Sequence, residues 1–498
     1  MYIMYWWKTY CNFRKLIQEG KTLEKIFHLK ENGTNVRTEI VAGITTFLAM
    51  AYILAVNPDI LSAAGMNKQA IFAATAVSAA FATMIMAFFA NYPVVLASGM
   101  GLNAYFAYTV VPNMAKEGIT DPWQVALTAI LAEGIIFIIL SIFKFRETLV
   151  NKVPRNLKLG ISVGIGLFVV IVGLKGAGIV ATDGVVVPDA VTGEPSVSSS
   201  TLVKMGSIGS PQVVLALLGI LIIAALWHFK VKGAILFGII VTWIFGIIAE
   251  VSGWYVVDNA HQVGSVIPSF DNYTFFAPVE SMVTKTAFRF NFDYVFSHTL
   301  SFAIIVFAFL FIDLFDTVGT LIGVAQEGKL LDKNGELPRV GRALMADALG
   351  TIGGACLGTS TVTSYVESTT GVAEGGRTGF TALTSAVMFL LAIPLYPIFL
   401  AIPSFATTPA LVFVGLLMLK NVSKMNFEDD IADTVGGFFA IIMMPFTYSI
   451  ANGIMFGIIA WAILKIITGK VKDIHPVMWV SSALFALRIT TMILGVSS

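Results

Sequence analysis

The sequence predicts an all-α polytopic membrane protein, with fourteen transmembrane segments arranged as two inverted seven-span repeats. Three observations carry this. Of 498 residues, 57% are hydrophobic and only 12% charged, about half the roughly 25% charge of a soluble domain. Apolar windows recur along the whole chain at the length of roughly 20 residues that a helix needs to cross the hydrocarbon core. Finally, 24 of the 31 basic residues fall on one side of the resulting topology, the side that positive charge marks as cytoplasmic.

The chain opens on Met1 to Arg37, which holds seven basic residues and no sustained apolar stretch. It reads as a cytoplasmic segment rather than a signal peptide. Spans follow near 38–56, 71–90, 123–143, 158–180, 212–228, 233–252, 299–325, 343–357, 379–402, 407–420, 430–447 and 449–468. Segments near 94–111 and 360–373 are too polar or too Gly-rich to be ordinary spans, and count as broken crossings. The long stretches 181–211 and 253–297 fall outside, and Asn272-Tyr273-Thr274 in the second has the form of a glycosylation acceptor. The tail 476–496 carries Arg488 and reads as interfacial, with a fifteenth span as the alternative.

The topology puts both termini in the cytoplasm and the chain, as a multi-pass protein, in the cell inner (plasma) membrane. The lipid bilayer is its first partner. Near-balanced charge, with 31 basic and 30 acidic residues, gives no reason to expect nucleic acid. Two cysteines, Cys11 and Cys356, exclude a disulfide scaffold. The five histidines show no metal-ligand spacing, and there is no phosphate-binding Gly-Lys-Ser/Thr loop, so neither a metal, a cofactor nor ATP hydrolysis is indicated.

The two broken segments occupy corresponding places in the two halves, and seven spans per half makes the repeats inverted. Paired interruptions of this kind point to a transporter's midplane site. In the first, Tyr92 to Phe106, Pro93 and the β-branched residues favour an extended stretch, and Gly99 and Gly101 let the backbone turn before a half-helix. The competing reading is a Gly-rich helix-packing face. In the second, Thr359 to Thr370, eight of twelve residues are Ser or Thr, Thr363 and Ser364 among them, with Glu367 embedded. A carboxylate there would cost about 3 kcal/mol against lipid, so Glu367 faces protein or water. Its bland role would be to cap a helix N-terminus.

Asp313 and Asp316, three apart on the eighth span, share one helical face. Two carboxylates so close in a low dielectric repel, a setting suited to holding and releasing a proton. Asp316 is assigned to the site, and Asp313 is either a proton-coupling partner or a tie between spans. Glu133, Asp347 and Asp433 read as packing partners, with a proton relay as the alternative, and Glu374 with Arg377 as an ion pair at the cytoplasmic end.

Several stretches resemble a known family. These are Glu39 to Phe47 with Ala51-Tyr52-Ile53-Leu54 and Asn57-Pro58; Gly99 to Phe106; Asp316-Thr317-Val318-Gly319-Thr320; and Gly358 to Ser368. Together they resemble AzgA-like adenine/guanine/hypoxanthine permeases of the nucleobase–ascorbate (xanthine/uracil) transporter group, from about residue 38 to 470. The first twenty residues look unlike the family. The resemblance implies core and gate domains, with spans 3 and 10 broken by short strands. The core would comprise 38–143 (spans 1–4) and 298–402 (spans 8–11), the gate 144–252 (spans 5–7) and 403–470 (spans 12–14). Flanking these are 1–37, the external loop 253–297 and the C-terminal 471–498.

The same resemblance implies a non-enzymatic secondary transporter that imports purine nucleobases by proton symport, with alternating access and no cofactor. Substrate would meet Asn103, Gly101, Asp316, Glu367, Ser364 and Thr363, and Asp316 with Asp313 would couple the proton. Tyr105 and Phe106 are candidates for stacking. The gate domains offer a surface for a homodimer, which the sequence leaves open. An anion transporter of the same architecture would call for a basic residue at the breaks, where acids stand instead; a channel or membrane-embedded enzyme is the remaining alternative.

Overall fold

The computed structural model describes residues 20–142, 153–181, 185–188, 195–198, 203–257, 264–270, 273–328, 330, 337–428 and 430–493. Asn272, most of the first twenty residues and the last five lie outside them. After α1 (Gly20–Phe27), the first span divides into α2 (Val36–Met50) and α3 (Ile53–Ser62). Asn35 caps α2 by accepting from the Thr38 amide, and Tyr52 stands at the α2–α3 break. The second span is α4 (Lys68–Ile85), extended by a π-helical turn Met86–Ala90.

The third segment enters as a strand, β1 (Leu96–Ser98), and leaves as α5 (Met100–Tyr105), a π turn and α6 (Val111–Lys116). Next come α7 (Trp123–Ile142) and α8 (Arg155–Gly176), then the short strands β2 (Val180–Ala181), β3 (Val185–Pro188), β4 (Pro195–Ser198) and β5 (Lys204–Met205). These pair as two small antiparallel ladders, β2 with β5 and β3 with β4. Helices α9 (Pro211–His228) and α10 (Ala234–Val251) close the first half, and α11 (Ala277–Lys285) and α12 (Asp293–Ser297) lie in the connection.

The second half repeats the plan. It contains α13 (Thr299–Glu327), α14 (Val340–Leu357), a strand β6 (Val362–Ser364) followed by α15 (Ser368–Ala373), and α16 (Gly379–Leu391), which bends into α17 (Tyr396–Leu400). It ends with α18 (Ser404–Leu419), α19 (Ile431–Phe446), α20 (Ile450–Ile467) and α21 (Pro476–Ile493). Eight helices among the described residues are long and apolar enough to cross a membrane, and the bent α16–α17 pair makes a ninth. With α13, α14, α19 and the two strand-broken segments, the spans number fourteen. The tail helix α21 packs on α20, and its Phe485 is buried against Phe307 and Phe311 of α13.

Two sets of helices pack among themselves. In one, α2 lies on α16, α4 on α14 and α16, and α7 on α13 and α14; in the other, α8 lies on α18 and α19, α19 on α20, and α9 and α10 on α18. Small residues permit the closest approaches. A Cβ on Gly160 of α8 would sit 2.5 Å from the Gly437 carbonyl oxygen of α19, so only glycine lets these backbones meet. Leu217, Leu221, Phe245 and Ile248 point outward from α9 and α10, the exposed apolar surface expected where the solvent is lipid.

One expectation fails. Glu374 does not pair with Arg377; its carboxylate meets Lys232 at 2.6 Å. The Arg377 guanidinium instead donates to the carbonyls of Val372 and Gly376, in the turn that follows the C-terminus of α15, where carbonyls are open to side-chain donors. The amides of Arg377, Thr378 and Thr381, with the hydroxyls of Thr378 and Thr381, converge on the buried carboxylate of Glu39. That carboxylate from the first half thereby caps α16 of the second.

Candidate functional site

The centre of the site is an antiparallel ladder between the halves. β1 pairs with β6 in the register Leu96↔Ser364, Ala97↔Thr363 and Ser98↔Val362, extended by the Gly99 amide to Thr361 and the Tyr365 amide to Val95. Neither strand alone could satisfy its backbone at membrane depth, where each unpaired group is costly. Gly99 ends β1 because a Cβ there would fall 2.7 Å from the Thr363 methyl. Each strand runs straight into a half-helix, α5 or α15.

Glu367 is buried, and the Tyr52 hydroxyl donates to its Oε1 at 2.6 Å. Although Glu367 holds the N-cap position of α15, its side chain makes no capping bond. The carboxylate is therefore not spent on capping α15. From there α15 descends beside α2, with Gly371 against Ala42 and Thr46 and Gly375 against Thr38. The Tyr365 hydroxyl donates to the Ser98 carbonyl, fixing the residue two before Glu367 to β1.

Asn103 is fully buried on α5. Its Oδ1 accepts from the hydroxyls of Ser98 and Ser360. Ser98 also contacts the Thr359 hydroxyl at 3.1 Å, and Asn57 donates to Thr359 and Thr75. Among the described residues, Asn103 Nδ2 and the Ser364 hydroxyl are buried without a hydrogen-bond partner. Buried polar atoms rarely stay orphaned, so these two groups are available to a ligand.

Thr363, alternating to the other face of β6, shares a 2.7 Å hydrogen bond with Thr317 of α13. Thr317 also lies 3.1 Å from Asp313 Oδ1 and 2.9 Å from Asp347 Oδ1. Thr317 thus joins α13, α14 and β6, with Asp313 bonded to it from one turn earlier on α13, whereas Asp316, half-buried, lies within electrostatic reach of Asp347 and Glu367. The structure gathers Asn103, Ser364 and Glu367 around the paired strands, with Asp316 beside them and Asp313 and Thr363 behind.

Other candidates are spent on packing. Gly101 faces α8, where a Cβ would lie 2.6 Å from Ile165 Cγ2. Tyr105 packs edge-on against Phe309, with centroids 4.9 Å apart, and Phe106 is buried. Glu133 accepts from Thr361, and Asp433 from Trp461. Tyr52 and Ser360 carry roles that spacing alone did not assign, since each acts across the two halves. The signal available for Tyr52 was its place in the Ala51-Tyr52-Ile53-Leu54 stretch that carried the family resemblance.

Comparison with known proteins identifies the family. The Xan_ur_permease model, described as a permease family, matches residues 37–456. The adenine permease AdeP of Escherichia coli (strain K12) is 39% identical over 467 residues, covering 94% of this chain and 96% of that one. The guanine/hypoxanthine permease PbuO of Bacillus subtilis (strain 168) is 40% identical over 466 residues, covering 93% and 99%. Among solved structures, the transmembrane domain of the cyanobacterial bicarbonate transporter BicA shares the fold, with a TM-score of 0.58 and 16% identity over 85% of this chain and 97% of that one. The chain belongs to the Xan_ur_permease family: it is a multi-pass membrane permease, not an enzyme.

Proposed function

We propose that the chain imports purine nucleobases, adenine, guanine or hypoxanthine, by proton symport with alternating access. The observation that carries this reading is the buried trio of Glu367, Asn103 Nδ2 and the Ser364 hydroxyl, one carboxylate and two polar groups without partners. A purine edge alternates N and N–H groups, so it can donate to Glu367 and accept from Asn103. Charge-assisted bonds of the first kind contribute about 1.5–3 kcal/mol each. No lysine or arginine occurs from Tyr92 to Phe106 or from Thr359 to Thr370, which disfavours an anion. The names of the relatives support the same substrate class.

Asp316, beside Glu367, is the proton site in this reading, with Asp313 held to the neighbouring Thr317. Protonation there favours the loaded form, and release favours return; a gradient does work only through that differential affinity. The helix set containing α2, α4, α7, α13, α14 and α16 is the core, and the set containing α8 to α10 and α18 to α20 is the gate. Rocking of one against the other exposes the strand pair alternately. Positive charge places both termini in the cytoplasm, so the Asp59 end of α3 faces outward and Glu374 inward.

Radiolabelled adenine uptake into proteoliposomes tests the reading. Glu367→Gln should abolish purine uptake while the protein remains folded in the membrane, and undiminished uptake would sink the assignment. Uptake indifferent to an imposed pH gradient and to uncoupler would remove proton symport and leave substrate recognition standing.

A further inference from the structure

A cavity of about 590 Å³ lies away from the strand pair, lined by neither Asn103, Asp316 nor Glu367. Asp59 is in its wall, seven residues beyond Tyr52, or about 10 Å further along the helix. The cavity therefore stands between the buried site and the outer end of the bundle. Both helix sets build it: Asp59 and Lys68 come from α3 and α4, and Lys175, Gln212 and Phe405 from α8, α9 and α18, with Tyr255 from the connection after α10. Its volume falls within the roughly 300–1,000 Å³ of small-molecule sites.

The lining suits a flat polar heterocycle. Asp59 is occupied, paired with Lys68 at 3.3 Å and accepting from Thr407 at 3.3 Å. Lys175 is exposed, and its ammonium lies 4.7 Å over the Tyr448 ring; among the described residues it makes no ion pair. Its N–H groups and the Gln212 amide line the same cavity. Tyr255 and Phe405, with centroids 5.7 Å apart, add aromatic wall.

We propose that this cavity is a second, weaker binding site for the nucleobase, an outer antechamber on the path to Glu367. The assignment rests on the purine reading above. Because the two helix sets share its walls, rocking that opens the inner face would compress the cavity and drive its occupant out of it. An antechamber of this kind raises the local substrate supply from one side only.

Equilibrium binding of radiolabelled adenine to purified full-length Glu367→Gln protein tests it, since that substitution disables the inner site. Weak residual binding should remain, and adding Lys175→Gln and Gln212→Leu should weaken it by roughly three- to tenfold, the range for losing a hydrogen bond. In the otherwise native protein, the same two substitutions should raise KM for uptake from outside and leave KM from the cytoplasmic face unchanged. Residual binding that is absent, indifferent to both substitutions, or displaced by inorganic phosphate better than by adenine overturns the outer site. A native protein that binds no purine at all overturns the substrate reading, and the antechamber with it.

Discussion

The Tyr52 hydroxyl and Glu367 Oε1, 315 positions apart, share a 2.6 Å hydrogen bond across the two halves of the chain. One carboxylate oxygen of Glu367 is thereby fixed. Tyr52→Phe keeps the ring and removes the donor. It should raise KM for adenine by roughly three- to tenfold, a fraction of what a hydrogen bond to a charged group can contribute. An unchanged KM would show that Glu367 needs no such positioning.

Ser364 and Thr363 are neighbours on β6 with opposite fates. The Ser364 hydroxyl has no partner among the described residues, whereas that of Thr363 is bonded to Thr317. Ser364→Ala should leave thermal stability in detergent unchanged and weaken adenine binding. Thr363→Val should lower stability by about 1 kcal/mol, the net contribution of a typical hydrogen bond. The reverse pattern would mean that Ser364 is structural and unconnected with substrate.

Gly101→Ala would push a methyl to 2.6 Å from Ile165 Cγ2, and overpacking of this kind costs about 1–3 kcal/mol. Since Ile165 belongs to the opposite helix set, the strain falls on the surface between the sets, which would slide under the proposed rocking. Uptake should drop in Gly101→Ala and recover in the double variant with Ile165→Ala. Failure of that rescue would place the defect elsewhere in α5.

Lys232 and Glu374 form an ion pair between the two helix sets, on the side proposed to face inward, with side chains 56% and 27% exposed. Exposed pairs of this sort contribute about 0–1 kcal/mol to stability, so Lys232→Ala should barely move the melting temperature. The pair nevertheless has to part if the inner face opens. Turnover should change in Lys232→Glu and in Glu374→Lys, and return toward native in the double reversal. Equal turnover in all of these forms would exclude a latch.

Asp430 offers a pH signature outside the spans. Burial opposes its ionisation, but Lys465, Lys470 and the Ala432 amide outweigh that and hold its carboxyl well below the usual carboxylate range. A carboxylate depressed by folding stabilises above its unfolded value, about 3.9 for aspartate, and loses that contribution as the pH falls through the folded one. Asp430→Asn should therefore melt below native protein at pH 6, with the gap narrowing below about pH 4. A gap constant with pH would rule out this linkage.

The spans were legible because membrane-crossing length and basic-residue bias act on whole segments. The strand breaks were legible too: Pro93, Gly99 and the Ser/Thr run cannot form an ordinary lipid-facing helix, so their positions marked Asn103, Ser364 and Glu367. What spacing could not supply was partnership between the halves. Nothing local joins Tyr52 to Glu367 or Ser360 to Asn103, since those contacts exist only once β1 meets β6. Glu374 and Arg377 illustrate the converse error. Their three-residue spacing suggested a pair, but the turn after α15 drew the guanidinium to backbone carbonyls and left the carboxylate to Lys232.

The β1–β6 ladder also constrains how the protein is made. Ser98 leaves the ribosome 261 residues before Thr359, an interval of tens of seconds at about 5–20 residues per second. Throughout it, β1 sits in a nascent first half whose pairing strand has not been synthesised. The insertion machinery must shelter that edge, and a ribosome stalled between the halves would strand it in lipid.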